Sequence, residues 1–198
     1  MAKYIYDRLY IDELNQYADN FSDSYLLFNS VNQHFANSKI NYVDNKINIL
    51  TENQLTPEEE ETLDSIVNDV NSNAYNNILK HLKQSIIDTV RLENNLTLEK
   101  MGVEFPPSSG IKYSMTHEDI TIWNGMMLAS SNLQYPVKIR DVNNISHYFN
   151  NATEIQQFWG AGLQYMQWIF DSTVEKINEI NALTTITDVL NWTDDRLS

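Results

Sequence analysis

INYVDNKINILTENQLTPEEEETLDSIVNDV, residues 40–70, holds both kinds of secondary structure in one stretch and decides the fold class. Ile40, Tyr42, Ile47 and Ile49 alternate with polar residues on either side of Asp44-Asn45, the pattern of a half-buried β-hairpin closed by an Asx-rich turn. A helix start follows at once. Thr56 can cap, Pro57 suits the first helical position, and Glu59 completes a capping box while Glu58 to Glu61 favour the positive end of the helix dipole. Leu63, Ile66, Val67 and Val70 then form a buried stripe. The run of four glutamates resembles a metal or basic-partner site, but at a helix start it reads more simply as solvated capping chemistry.

Upstream, residues 3–11 form a mostly apolar run with Tyr4, Tyr6 and Tyr10 that fits a strand or a short helix, and residues 25–35 share the ambiguity. Downstream, a second helix is expected from about residue 73 to 97. Tyr75, Leu79, Leu82, Ile86 and Val90 lie on one face of it, a candidate partner-binding surface. Gly102 to Gly110, with adjacent Pro106 and Pro107, breaks regular structure and marks a linker. The expected organisation is an N-terminal α+β domain over 1–101 (hairpin about 40–50, helices about 57–71 and 73–97), a Pro-rich linker over 102–110, and a helix-rich domain over 111–198.

In that second domain, Ile111 to Met115 reads as a short strand. Thr116 opens a helix with Asp119 at its third position, and Ile120, Trp123, Met127 and Leu128 supply its core face. YPVKIRDVNNISHYF, residues 135–149, reads as a small hairpin turning at Asp141 to Asn144. From Asn151 to about Leu183 the chain reads as one long helix. Its seam of Ile155, Trp159, Leu163, Met166, Phe170, Val174 and Ile177 repeats at steps of three and four, suited to a neighbouring helix. Trp168 and Ile169 lie off that seam, which implies burial on more than one side. The tail, with Val189, Leu190 and Trp192, is expected to pack back as a short helix. The fold class is α+β: a small hairpin-containing N-terminal part and a helix-dominated C-terminal part with a short hairpin and one long helix.

Composition removes several function classes. There is no cysteine, so disulfides, thiolate zinc sites and a cysteine nucleophile are excluded. A formal charge of −14 opposes approach to nucleic acid and to anionic lipid surfaces. Residues 1–75 hold 13 acids against 4 bases, so the N-terminal part is the more acidic surface. The opening MAKYIYDRLYIDEL is too interrupted by acids for a secretory signal, and no stretch approaches the roughly 18 apolar residues of a spanning helix. Asparagine outnumbers glycine 25 to 5, and Asn can replace Gly at caps and bends.

No motif identifies a reaction. His34, His81, His117 and His147 are scattered without metal-ligand spacing. His117-Glu118-Asp119 is the densest polar triplet and could join Asp141 or His147 in a metal or acid–base site, although a capped first helical turn explains it as well. Ser108-Ser109-Gly110 lacks the flanking glycines of a nucleophile elbow, and Gly160 and Gly162 lie inside an apolar helix where small residues admit a close neighbour. Trp123, Trp159, Trp168 and Trp192 all fall in the second half, where core packing is favoured over a binding pocket. No catalytic, cofactor-binding or metal residue is expected, and no cofactor.

The aromatic opening, INYVDNKINIL and the LTPEEEETLDSIV helix together resemble N-terminal segments of small virion proteins of tailed bacteriophages. GIKYSMTHEDITIWNGMMLAS, YPVKIRDVNN and the FWGAGLQYMQWIFDSTVEKINEI helix resemble a domain of phage tail and tail-fibre-assembly proteins. The resemblance implies a non-enzymatic structural component of a tailed-phage virion, in its tail, baseplate, neck or fibre-attachment region, assembled in the host cytoplasm. It implies other virion proteins as partners, with the chain a homo-oligomer or present in multiple copies. An assembly chaperone absent from the mature particle is the alternative, and a small metal-dependent enzyme using His117, Glu118 or Asp119 a third.

Overall fold

The computed structural model of the chain describes residues 1–8, 23–44 and 46–197. In order, the elements are β1 (Ala2–Asp7), α1 (Asp23–His34), β2 (Lys39–Val43), β3 (Lys46–Thr51), α2 (Pro57–Thr89), a π-helical turn (Val90–Asn94), α3 (Asn95–Met101), β4 (Val103–Glu104) and β5 (Lys112–Tyr113). Then come α4 (His117–Ala129), β6 (Val137–Arg140), β7 (Ser146–Phe149), α5 (Ala152–Ala182), α6 (Ile186–Asn191) and a last 3-10 turn (Asp195–Leu197). The fold is α+β and helix-dominated, with small antiparallel sheets. Leu9, Tyr10, Ile11 and Asn45, part of the expected opening run and hairpin turn, lie outside the described residues. No helix among the described residues is long and apolar enough to cross a membrane.

The chain divides into two compact units, Met1–Gln84 with Thr184–Asn191, and Ser85–Leu183 with Trp192–Ser198. The division falls inside α2, whereas the sequence places it at 102–110. That segment lies wholly within the second unit because it packs. Phe105 turns inward at 7% exposed, its N–H donating to the Ile111 carbonyl at 2.9 Å, and the prolines sit in a tight β4–β5 connection rather than a spacer.

In the first unit β3 is the central strand, antiparallel to β1 and β2, with Tyr4 and Tyr42 flanking the Ile49–Ile47 side of the ladder. The period-2 pattern sends Ile47 and Ile49 into a core shared with Leu27 and Val31 of α1 and Leu63 and Val67 of α2. The α2 start is the capping box its sequence suggests: the Glu59 N–H donates to Thr56 Oγ1 at 3.3 Å, and the Thr56 N–H donates to Glu59 Oε2 at 2.8 Å. One expectation is corrected here. The sequence leads one to expect two helices, over 57–71 and 73–97, yet α2 runs unbroken from Pro57 to Thr89. Asn71 points inward, 4% exposed, and its Nδ2 donates to the Asp7 carbonyl at 2.8 Å, so its amide ties down β1 instead of competing for its own helix backbone. Later in the chain, Ile186 of α6 donates its N–H to the Tyr75 hydroxyl at 3.2 Å, and Ile186 and Val189 are buried.

The second unit packs α4, α5 and two β-hairpins around aromatic rings. Phe158 of α5 is central, with ring centroids 5.1 Å from Tyr113, 5.1 Å from Trp123, 5.3 Å from Phe149 and 5.6 Å from Phe105, mostly edge to face. Both helices start on side-chain caps. Thr116 accepts from the Asp119 N–H, and Asn151 accepts from the Glu154 N–H at 3.0 Å. A smaller cluster joins Ile87, Val90 and Ile180 with Ile86, Ile177 and Trp192. Beyond it the tail is held by a buried ion pair: Arg196 grips Asp194 through Nε at 2.9 Å and Nη2 at 2.6 Å, with their side chains 4% and 3% exposed. Arg196 Nη1 also donates to Thr173 Oγ1 at 2.9 Å, while Asn94 Nδ2 donates to Asp194 Oδ2 at 2.9 Å. The tail is thereby fastened to both α5 and the π-helical turn.

Candidate functional site

The second unit contains a pocket of about 420 Å³ between the β4–β5 loop, β7 and the start of α5. Phe105, Pro106, Tyr113 and Tyr148 give it apolar walls, and His147 and Gln157 bring polar edges. Burial pushes the Tyr113 phenol up to about 12, with the nearby Asp141 carboxylate adding to the effect. His147 Nε2 lies 3.1 Å from Asp141 Oδ2.

Asp141 itself organises the β6–β7 turn. Its Oδ1 accepts the N–H groups of Asn143 at 2.9 Å and Ile145 at 2.8 Å, and Asn144 takes a positive φ of 64°. Burial alone would raise this carboxyl. The hydrogen bonds from the Ile145 N–H, His147 and the Asn143 N–H outweigh it and hold the carboxyl below its usual range. The pair is thus a turn clamp first, and its imidazole also lines the aromatic pocket. Among the described residues no three His, Asp or Glu side chains group as a metal site.

The other residues singled out from sequence fall as follows. In His117-Glu118-Asp119, Asp119 is engaged with the Thr116 cap, accepting its hydroxyl at 2.6 Å, and His117 and Glu118 are exposed. Ser109 and Gly110 belong to the β4–β5 loop, where the Ser109 N–H donates to the Pro106 carbonyl at 3.2 Å and the Gly110 N–H to Glu104 Oε1 at 2.6 Å. Trp123 is buried, Trp159 and Trp192 are half-buried, and Trp168 stacks on Tyr165 with centroids 5.5 Å apart.

The α2 face of Tyr75, Leu79, Leu82, Ile86 and Val90 is largely used inside the chain: Leu82 and Val90 are buried and the other three half-buried. The α5 seam is split. Ile155 lies in the core; Trp159, Met166 and Ile177 are half-buried at its margin; Leu163, Phe170 and Val174 stand in solvent, 52%, 65% and 45% exposed. The stripe that α5 buries is Ile155, Phe158, Gly162, Ile169 and Thr173, about one position round the helix from the expected one.

Sequence reasoning missed Phe158, which the expected seam passes by in favour of Trp159, whereas Gly162 is a close-packing position as its place inside an apolar helix suggests. A Cβ on Gly162 would lie 2.8 Å from Met115 Cε, so the missing side chain is what admits Met115. Sequence reasoning also missed Arg196 and Asp194, for which only an Asp-Asp-Arg run near the end gave any signal. Leu163, Phe170 and Val174 are left as an apolar row on the surface of this long, capped helix. No family model, curated protein or solved structure matches the chain.

Proposed function

We propose that the chain is a non-enzymatic structural component of a tailed-phage virion, in the tail, baseplate, neck or fibre-attachment region, acting through protein–protein contacts. The observation that carries the contact role is the exposed row of Leu163, Phe170 and Val174 on α5. Three large apolar side chains in line on one helix are a surface that another protein would cover. The placement in a virion rests on the resemblance of the hairpin, the acidic capped helix and the long C-terminal helix to tailed-phage proteins. Mass spectrometry of purified particles of the encoding phage tests it. The chain should appear there in a fixed ratio to the tail proteins. Presence in infected cells with absence from finished particles would overturn the structural role and leave an assembly chaperone in its place.

A further inference from the structure

The outward side of α5 has a more definite pattern than exposure alone. Gly160, Leu163, Gln167, Phe170 and Val174 follow one another at steps of three, four, three and four, which lines them up along one side of the helix. The row is uneven in size. Space beside Gly160 is open, with no atom within 4 Å of where a Cβ would sit, whereas Phe170 stands 65% exposed. Its two flanks differ as well. One carries Trp159, Met166 and Ile177, all half-buried; the other carries Gln164, Asp171 and Glu175 together with Trp168, all exposed.

We propose that α5 of one copy packs antiparallel against α5 of a second copy, across a two-fold axis at Gln167. The occupant follows from complementarity. An antiparallel two-fold pair sets each flank against the same flank of its partner, so apolar meets apolar, and Gln164 amides meet Asp171 carboxylates. A parallel pair would set the acids against the apolar flank. The antiparallel register also places Gly160 opposite Val174 and Leu163 opposite Phe170, small against large at both ends, with the two Gln167 amides meeting at the centre. Isologous contacts of this kind close on themselves as a dimer. The pairing rests on the assembly reading and names its partner, but it is measured on purified protein, so particle composition and pairing fail separately.

The absence of cysteine makes the test clean. At an interaxial distance of about 8–10 Å, Cα atoms facing each other at the axis come within disulfide range. Gln167→Cys should therefore form a covalent dimer on mild oxidation. Leu163 is four residues from the axis, so two copies of it are offset by about 12 Å along the pair, beyond disulfide reach. Leu163→Cys alone should form no disulfide-linked dimer, and mixing it with Phe170→Cys should give the mixed disulfide. In sedimentation velocity the unmodified chain should show a concentration-dependent dimer, weakened about tenfold or more by Phe170→Glu. Phe170 is exposed, so circular dichroism of that variant should be unchanged. A chain that stays monomeric at about 100 μM, well above the micromolar range of weak specific pairs, would overturn the proposal. So would self-linking of Leu163→Cys in preference to Gln167→Cys.

Discussion

Replacing Gly102 by alanine should be the most damaging single-methyl change in the second unit. Gly102 closes α3 with φ 76° and ψ 170°, a combination essentially reserved for glycine, in which another residue costs about 1–3 kcal/mol. The new methyl would also lie 2.3 Å from the Tyr113 carbonyl oxygen and 2.9 Å from the Ser114 nitrogen. These are backbone atoms of the β5 region, flanked by Tyr113 and Met115 at 1% and 0% exposed, so they cannot swing aside as a flexible side chain would. Restoring a normal contact means parting β4 from β5 by most of an ångström, an overpacking strain of about 1–3 kcal/mol. Together the loss is about 2–6 kcal/mol. Gly110→Ala is the matched control: its φ is also positive, at 73°, but no atom lies within 4 Å of the added carbon, so only the conformational part, about 1–2 kcal/mol, applies. All four tryptophans belong to the second unit, so urea unfolding followed by tryptophan fluorescence reports it directly. Equal midpoints for the two variants would refute the steric account.

Two further outcomes follow from the carboxylates of the second unit. Arg196→Met strands the Asp194 carboxylate, and while breaking a buried pair costs about 3–5 kcal/mol in a closed interior, the tail can peel into water, so about 2–3 kcal/mol is expected. A red shift of Trp192 emission ahead of global unfolding would report the release, and an unchanged midpoint would argue against the latch. The second outcome concerns pH. Asp141 is held below its usual range, so its clamp is at full strength above the unfolded carboxyl value of about 3.9 and is lost as pH falls through the lower folded value. The stability gap between the native chain and Asp141→Asn should therefore be full at pH 7 and close below about pH 4. A gap that widened on acidification would contradict the assignment.

Where the chain announces its elements through local chemistry, sequence and structure agree. Thr56 with Glu59, Thr116 with Asp119 and Asn151 with Glu154 each mark a helix start within a few residues, because a cap is a bond between near neighbours. The hairpins at residues 39–51 and 137–149 are legible for the same reason. Asn71 was not, since its partner carbonyl lies 64 residues away and the local tendency of asparagine to break helices gives no hint of it. The inward face of α5 was misplaced by about one position because the helix is apolar on several sides, and both Trp159 and Phe158 continue an acceptable period from Ile155. The pocket and the tail ion pair join residues from separate elements, which periodicity cannot bring together.

The path of the backbone between the units has a consequence for how the protein is made. Residues 184–191 complete the unit that began at Met1, and residues 192–197 return to the one that began at Ser85, so the chain passes from one unit to the other three times. No single cut yields either unit whole; a fragment ending at residue 101 would lack Ile186 and Val189. During synthesis the same order applies in time. The segment that closes the first unit and the Arg196 grip that closes the second both emerge after α5, so neither unit can be finished before α5 has been made.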